Sequence, residues 1–211
     1  MRVTDEVEQG WSRMELLRHA DALTVFLRRA LPAAPTSTLA PGAQVARAAA
    51  VLAPLYVRDG LPYLLFTQRS QDLSTHRGEI SFPGGSRDAT DASLEQTALR
   101  ETREELGLDP AAVDLLGPLP TVFAAVSNFL IQPYVGWLGD GLPMLTPNPR
   151  EVAEVIEAPL EALAEPAIYH SETWRRAGAD HLIHFYDFGP YRIWGVTARI
   201  LRSLLDMLPA G

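Results

Sequence analysis

The sequence contains no cysteine and no lysine, because all 18 residues counted as Lys or Arg are arginine. Without Cys, thiol nucleophiles, disulfide frameworks and cysteine-ligated zinc sites are excluded. Without Lys, Schiff-base chemistry and Walker-type phosphate loops are excluded as well. A GC-rich genome, which favours Arg, Ala, Pro and Gly codons, is the simplest reason for the missing lysine. Any phosphate binding must therefore use Arg side chains, backbone amides or a metal ion.

Basic charge and long apolar runs are also scarce. The 211 residues carry 26 acidic against 18 basic side chains, a formal net charge of −8, which argues against non-specific binding to nucleic acid or membrane surfaces. The longest apolar stretch, 48–57, is too short to span a bilayer, and residues 1–10 are acidic, unlike a signal peptide. With 47 % hydrophobic and 21 % charged residues, we expect a soluble, cytoplasmic protein with one main domain.

The chain is predicted to have two parts. Apolar residues at helical spacing over 14–31, followed by a Pro- and Ala-rich segment, indicate an N-terminal helical extension and linker over 1–42, and the remainder, 43–211, forms the main domain. The extension is a candidate for contacts within a homodimer. In the main domain we predict strands at 45–57, 63–68, 115–119, 130–138 and 183–188, and helices at 94–106, 159–163 and 196–208. This mixture predicts an α+β fold, with a mixed sheet covered by helices.

The first two of these strands are separated by Asp59-Gly60, a pair typical of a tight hairpin turn.

The most informative helix is the one predicted at 94–106, which ends in three carboxylates. At 100° per residue, Glu101, Glu104 and Glu105 fall within roughly a 100° arc. These acids repel one another and lie near the helix C-terminus, where the helix dipole disfavours negative charge. Oxygen ligands of this kind suit Mg²⁺ or Mn²⁺. The alternative is a solvated acidic face paired with Arg100 and Arg103.

A glycine pair precedes this helix and favours the metal interpretation. Gly84 and Gly85 follow Phe82-Pro83, and adjacent glycines allow the backbone to approach a ligand and the acidic helix closely. The glycine loop and the acidic helix together favour a metal site more strongly than three acids alone would.

These segments resemble the box of the Nudix hydrolases, G-x5-E-x7-R-E-U-x-E-E-x-G-U, where U is apolar. Arg100-Glu101, Glu104-Glu105 and Gly107-Leu108 match its second half in register. Asp91 stands at the first acidic position, with eight residues rather than seven before Arg100, and Thr102 replaces an apolar residue. The resemblance implies a Nudix fold, in which a mixed sheet is sandwiched between helices.

The flanking residues narrow the resemblance to the coenzyme A diphosphatase branch. Its signature, roughly L-L-T-x-R-S-x3-R-x3-G-x3-F-P-G-G, aligns with 65–70, Gly78 and 82–85, although Ser74 replaces its second Arg. Two later segments of this chain also resemble blocks of the branch. These are Pro147-Asn148-Pro149, which precedes Glu151, and the run 193–198. The resemblance covers about 47–208 and implies hydrolysis of coenzyme A or acyl-CoA to adenosine 3′,5′-bisphosphate and a 4′-phosphopantetheine product.

The resemblance also implies roles for the acids. Glu101 and Glu105 are the first-choice ligands of Mg²⁺ or Mn²⁺, and Glu104 is a third ligand or the base for a metal-bound water. A further carboxylate from a loop is expected, with Glu151 or Glu154 as candidates, although either could be a surface acid.

The remaining candidates concern positioning and substrate binding. Arg100 is expected to orient a carboxylate through a bidentate pair rather than touch substrate. Arg69, His76 and Arg77 are candidates for the adenosine bisphosphate end, beside Gly84 and Gly85 in the loop. The alternative roles are an ion pair at the end of a strand for Arg69 and a loop-ordering hydrogen bond for His76.

Two other functions stay open. A Nudix hydrolase of ADP-ribose, NADH or a dinucleotide polyphosphate would share the metal site and differ in the flanking signature. A non-catalytic Nudix-like binding module would be expected to lack one or more of the helix carboxylates, all of which are present here.

Overall fold

The structure is a computed structural model that describes residues 10–35, 46–70, 78–176 and 178–210. Its helices are α1 (Arg13–Arg18), α2 (Ala20–Ala30), α3 (Leu94–Leu106), α4 (Leu160–Leu163) and α5 (Gly195–Met207). Its strands are β1 (Arg47–Arg58), β2 (Leu61–Arg69), β3 (Ile80–Ser81), β4 (Gly84–Ser86), β5 (Asp114–Pro118), β6 (Val122–Ala124), β7 (Phe129–Asp140), β8 (Val152–Pro159), β9 (Tyr169–Arg176), β10 (Ala179–Phe188) and β11 (Tyr191–Trp194).

Strands β1 to β8 form one mixed sheet. Its main path runs β3-β2-β1-β7-β5, while β4 pairs with β1, β6 with β7 and β8 with β2. The central pair β1–β7 is parallel, and β1–β2 and β2–β8 are antiparallel. A second sheet has the order β11-β10-β9. The predicted α+β class with a mixed sheet is confirmed.

The β1–β2 turn explains the register of the first hairpin. Asp59 and Gly60 both have positive φ, 52° and 79°, as a two-residue turn between twisted strands requires. The pairing Arg58↔Leu61 closes this turn, and Leu55↔Leu64 continues the ladder. The predicted hairpin is confirmed.

Helices cover both faces of the large sheet because its strands are apolar on both sides. Leu64 and Phe66 on β2 belong to the main core with residues of α2 and α5, such as Leu201. Leu65, which points to the opposite face, packs in a second cluster with Leu106 of α3. Helix α3 therefore lies on one face, with the N- and C-terminal helices on the other.

The N-terminal helical prediction needs one correction. The predicted single helix over 14–31 is two helices, α1 and α2, separated at His19, whose extended backbone (φ −124°, ψ 95°) interrupts the helical hydrogen bonds. Ser12 begins α1 with a reciprocal capping box to Glu15. Apolar periodicity alone does not detect a one-residue break.

Both N-terminal helices contribute to the main core. Leu16, Leu17, Leu23 and Leu27 are buried in the cluster that also contains Phe66. Residues 36–45 of the predicted linker lie outside the described residues. The division into an extension over 1–42 and a domain over 43–211, and the dimer contacts, stay predictions.

We expect Leu23→Ala to destabilise the whole domain. Leu23 is 0 % exposed, so truncation leaves a cavity in the main core, at a cost of about 2–5 kcal/mol in the free energy of unfolding. Urea denaturation measures this difference. The matched control is Leu182→Ala, because Leu182 is 57 % exposed. An unchanged midpoint for Leu23→Ala would contradict the participation of α2 in the cooperative core.

Several strands differ from the prediction made from the sequence. Strands β8, β9 and β11 and the short strands β3, β4 and β6 were not predicted, because their runs are short or carry many polar residues. Within the described ranges, no helix combines the length and apolar character needed to cross a membrane.

Candidate functional site

Helix α3 has the bounds predicted from the sequence, and its two ends set the position of its acids. The Ser93 side chain accepts a hydrogen bond from the Gln96 N–H at 3.2 Å, and Gly107 ends the helix in the left-handed conformation at φ 70°. The last carbonyls, of Glu105 and Leu106, accept hydrogen bonds at 2.8 Å from the loop at 146–148. The acidic end of the helix is therefore tied to a second segment.

The two glycines of β4 bring the backbone directly against α3. Gly84 and Gly85 pair with Val51 and Ala50 of β1. A Cβ atom on Gly85 would lie 2.5 Å from Cδ of Glu101. At Gly84, which has a φ of 151°, a Cβ atom would lie 2.3 Å from the Ala50 carbonyl oxygen. A side chain at Gly85 would therefore collide with Glu101 of the helix, and one at Gly84 would collide with β1.

Two of the three helix acids are largely removed from water. Glu105 is 3 % exposed, and burial raises its pKa to about 8. Two groups oppose this rise: the Gly84 N–H, which donates to Oε2 of Glu105 at 3.3 Å, and the Arg69 guanidinium. Burial also raises the pKa of Glu101, against the effect of Arg100. The Glu104 side chain is 54 % exposed. The arc predicted from the helix is thus divided into two inner acids and one outer acid.

Arg100 holds several carboxylates in place. Its Nε and Nη2 donate to the two oxygens of Asp91, both at 2.9 Å, in a bidentate pair. Its Nη1 donates to Glu101 at 3.0 Å and to Glu104 at 3.1 Å. The Arg100 hydrogen bonds hold the pKa of the Asp91 carboxyl well below its usual range. Arg100 therefore orients these carboxylates, as the sequence predicted for one of them.

Of the two loop acids left open by the sequence, Glu151 lies beside the helix acids. It is half-buried, and its charge contributes to the raised pKa of both Glu101 and Glu105. Glu154 is exposed and accepts a hydrogen bond from the hydroxyl of Tyr191.

Arg69 lies at the end of β2, on the α3 side of the sheet. Its Nη1 is 3.8 Å from Oε1 of Glu105, and its buried Nε has no hydrogen-bond partner among the described residues. The other two substrate-binding candidates, His76 and Arg77, lie outside the described residues.

The donor set fits a divalent cation. Glu101 is half-buried and Glu105 is buried, and burial raises the pKa of both carboxyl groups. A hard cation bound by these oxygen ligands would favour their ionised form. Within the described ranges, however, no three His, Asp or Glu side chains already converge as a ready-made metal cluster. Binding an ion would therefore require small side-chain adjustments.

Two residues of this region were missed as site residues. Asp91 is buried as the partner of Arg100, and its place at the first acidic position of the box was the available signal. Asn148 contacts both the end of α3 and Glu151, and the available signal was its place in the Pro147-Asn148-Pro149 block of the resemblance.

Comparison with known proteins defines the family. The model of the NUDIX domain matches residues 46–176, which include β4, α3 and Glu151. The chain belongs to the Nudix family. It is a Nudix hydrolase that acts on the diphosphate bond of a nucleoside diphosphate derivative, and such enzymes generally use divalent metal ions.

Relatives of this Nudix hydrolase include proteins of similar length. The chain is 42 % identical over 158 residues to the uncharacterized Nudix hydrolase NudL of Salmonella paratyphi B, covering 75 % of this chain and 81 % of the relative. The figures for NudL of Salmonella newport are the same.

Solved Nudix structures are more distant in sequence. RenU of M. smegmatis is 23 % identical, with a TM-score of 0.48, over 56 % of this chain and 73 % of RenU. A MutT/nudix family protein from Enterococcus faecalis is 16 % identical, with a TM-score of 0.48, over 89 % of this chain and 67 % of the other.

Proposed function

We propose that this Nudix hydrolase cleaves coenzyme A or acyl-CoA into adenosine 3′,5′-bisphosphate and a 4′-phosphopantetheine product. The observation that carries the proposal is the flanking signature at 65–70, 78 and 82–85. Three of its residues, Arg69, Gly84 and Gly85, adjoin Glu101 and Glu105. The segment that distinguishes the branch therefore borders the proposed reaction site, where it can affect substrate choice.

Mg²⁺ or Mn²⁺ would be held by Glu101 and Glu105, with Glu104 or Glu151 as a further ligand. When bound there, such an ion would supply positive charge for the diphosphate oxygens and would lower the pKa of a water molecule. The chain itself supplies the carboxyl groups, and Arg100 keeps Glu101 oriented through its hydrogen bond. The proposed site needs no Cys or Lys.

The remaining side chains have distinct proposed roles. Glu104 is the most exposed of the helix acids, so its carboxylate is available to accept the proton of the attacking water. Arg69 places a guanidinium beside the acids, where it can bind a phosphate group bidentately. We propose that His76 and Arg77 assist it at the adenosine bisphosphate end.

The test is the product pair formed from coenzyme A. Purified protein is incubated with Mg²⁺ and coenzyme A, and the products are identified by mass spectrometry, with ADP-ribose, NADH and a dinucleotide polyphosphate in parallel. We expect adenosine 3′,5′-bisphosphate and 4′-phosphopantetheine to form faster than any product of the other substrates, and EDTA to stop the reaction. Preferred cleavage of ADP-ribose would contradict the proposed substrate and leave the family unaffected.

A further inference from the structure

The turn that carries Glu151 is anchored at both ends to the proposed site. The Asn148 N–H donates to the Glu105 carbonyl at 2.8 Å, and the Ser70 N–H donates to the Glu151 carbonyl at 2.8 Å. Because the last carbonyls of a helix have no partner within the helix, the first of these bonds also caps α3. The turn is thereby fixed between the end of α3 and the end of β2.

The Asn148 side chain uses both ends of its amide within this turn. Its Oδ1 accepts a hydrogen bond from the Arg150 N–H at 3.2 Å, and its Nδ2 donates to Oε1 of Glu151 at 3.0 Å. A backbone N–H can only donate, so this contact fixes which end of the amide is oxygen. The amide nitrogen is consequently directed at Glu151.

Glu151 needs such a donor because it lies near other carboxylates. The side chain of Glu151 is half-buried, and its turn is hydrogen-bonded both to Glu105 and to Ser70, the neighbour of Arg69, whose guanidinium lies 3.8 Å from the Glu105 carboxylate. Like charges in partly buried surroundings repel one another strongly. We propose that Asn148 is a positioning residue that holds the Glu151 carboxylate toward Glu101 and Glu105, so that the three acids can share one divalent ion. This inference rests on the metal-dependent function proposed above.

The test measures metal binding without substrate. Electron paramagnetic resonance of Mn²⁺ titrated into the metal-stripped full-length protein gives the dissociation constant of the ion. We expect Asn148→Ala to weaken Mn²⁺ binding by about 10- to 100-fold, as is typical when a residue that orients a metal ligand is removed. The matched control is Asp109→Ala, because Asp109 accepts a similar turn hydrogen bond from the Ala111 N–H just after α3. Its Mn²⁺ affinity should equal that of the wild type.

Two further variants separate positioning from general damage. Asn148→Ser keeps an acceptor for the Arg150 N–H but is too short to reach Glu151, so it should weaken Mn²⁺ binding by the same factor of about 10- to 100-fold. It replaces Asn148→Ala as the test if the alanine variant does not fold. If Asn148 acts through Glu151, adding Asn148→Ser to Glu151→Gln should cause little further loss of Mn²⁺ affinity.

The contrary outcomes are distinct. Wild-type affinity in Asn148→Ser, or losses that multiply in the double variant, would overturn the role of Asn148. A wild-type protein that binds no Mn²⁺ would overturn it together with the metal site. Binding of Mn²⁺ without hydrolysis of coenzyme A would instead overturn only the proposed substrate.

Discussion

Replacing Glu105 with Gln should abolish Mg²⁺-dependent hydrolysis, with kcat falling by about 10³-fold or more. Glu105 is the most buried of the three helix acids and is hydrogen-bonded by the Gly84 N–H. A Gln side chain keeps the shape and an oxygen acceptor for that N–H, but it lacks the charge that a divalent ion requires. Steady-state hydrolysis of coenzyme A in saturating Mg²⁺ measures the effect. Turnover near the wild-type rate would exclude Glu105 as a ligand.

Stability measurements show whether Glu105→Gln leaves the fold intact. The folded-state pKa of Glu105 is about 8, above the ordinary value of 4.5, so the folded wild type binds this proton more tightly than the unfolded chain does. The stability contributed by the protonated carboxyl is present below about pH 4.5 and is lost as pH rises to about 8. In EDTA, Glu105→Gln should therefore equal the wild type near pH 4.5 and exceed it in stability, by an amount on the order of 5 kcal/mol, above pH 8. A destabilised variant at pH 8 would contradict this.

Replacing Arg100 with Ala should cause the largest loss of stability among the site variants. Arg100 forms the bidentate pair with Asp91, whose side chain is 2 % exposed, so truncation leaves a buried carboxylate without its cation. Such a loss costs about 3 kcal/mol or more. For a chain of this length, the melting temperature would fall by about 6–12 °C. Thermal unfolding at pH 7 in EDTA measures the change.

The pH dependence and a lysine variant test the cause. The lowered pKa of Asp91 contributes stability above its unfolded value, about 3.9, and this contribution is lost as pH falls through the lower folded value. The deficit of Arg100→Ala should therefore be full at pH 7 and narrow only below about pH 4. Arg100→Lys restores the charge without the bidentate geometry and should recover part of the stability. A pH-independent deficit would indicate lost packing rather than a lost ion pair.

Local patterns predicted the elements whose causes are local. The bounds of α3 follow from Ser93 and Gly107, and the first hairpin follows from Asp59-Gly60. The break at His19 and the polar strand β9 were not predicted, because each depends on packing against distant segments rather than on its own periodicity.

The face of α3 that packs inward does not follow hydrophobicity alone. Leu94 and Leu99 are only half-buried, while the polar residues Thr97 and Glu105 are buried. Strand β4, which has no side chain at Gly84 and Gly85, lies directly against the acidic side of the helix and donates a hydrogen bond to Glu105. Contact between these segments, rather than hydrophobicity, decided the orientation.

By itself, the sequence determined the family, the helix that carries the acids and the glycine pair beside it, because all of these are encoded in residue types at fixed spacing. Only the tertiary structure decided which acids are buried, that Arg100 pairs with Asp91, and that Glu151 rather than Glu154 lies near the helix acids. The physical reason is that burial and charge pairing depend on segments distant along the chain. Glu105 and Glu151 are 46 positions apart by their numbers, and it is Asn148, through the turn bonded to the end of α3, that connects them.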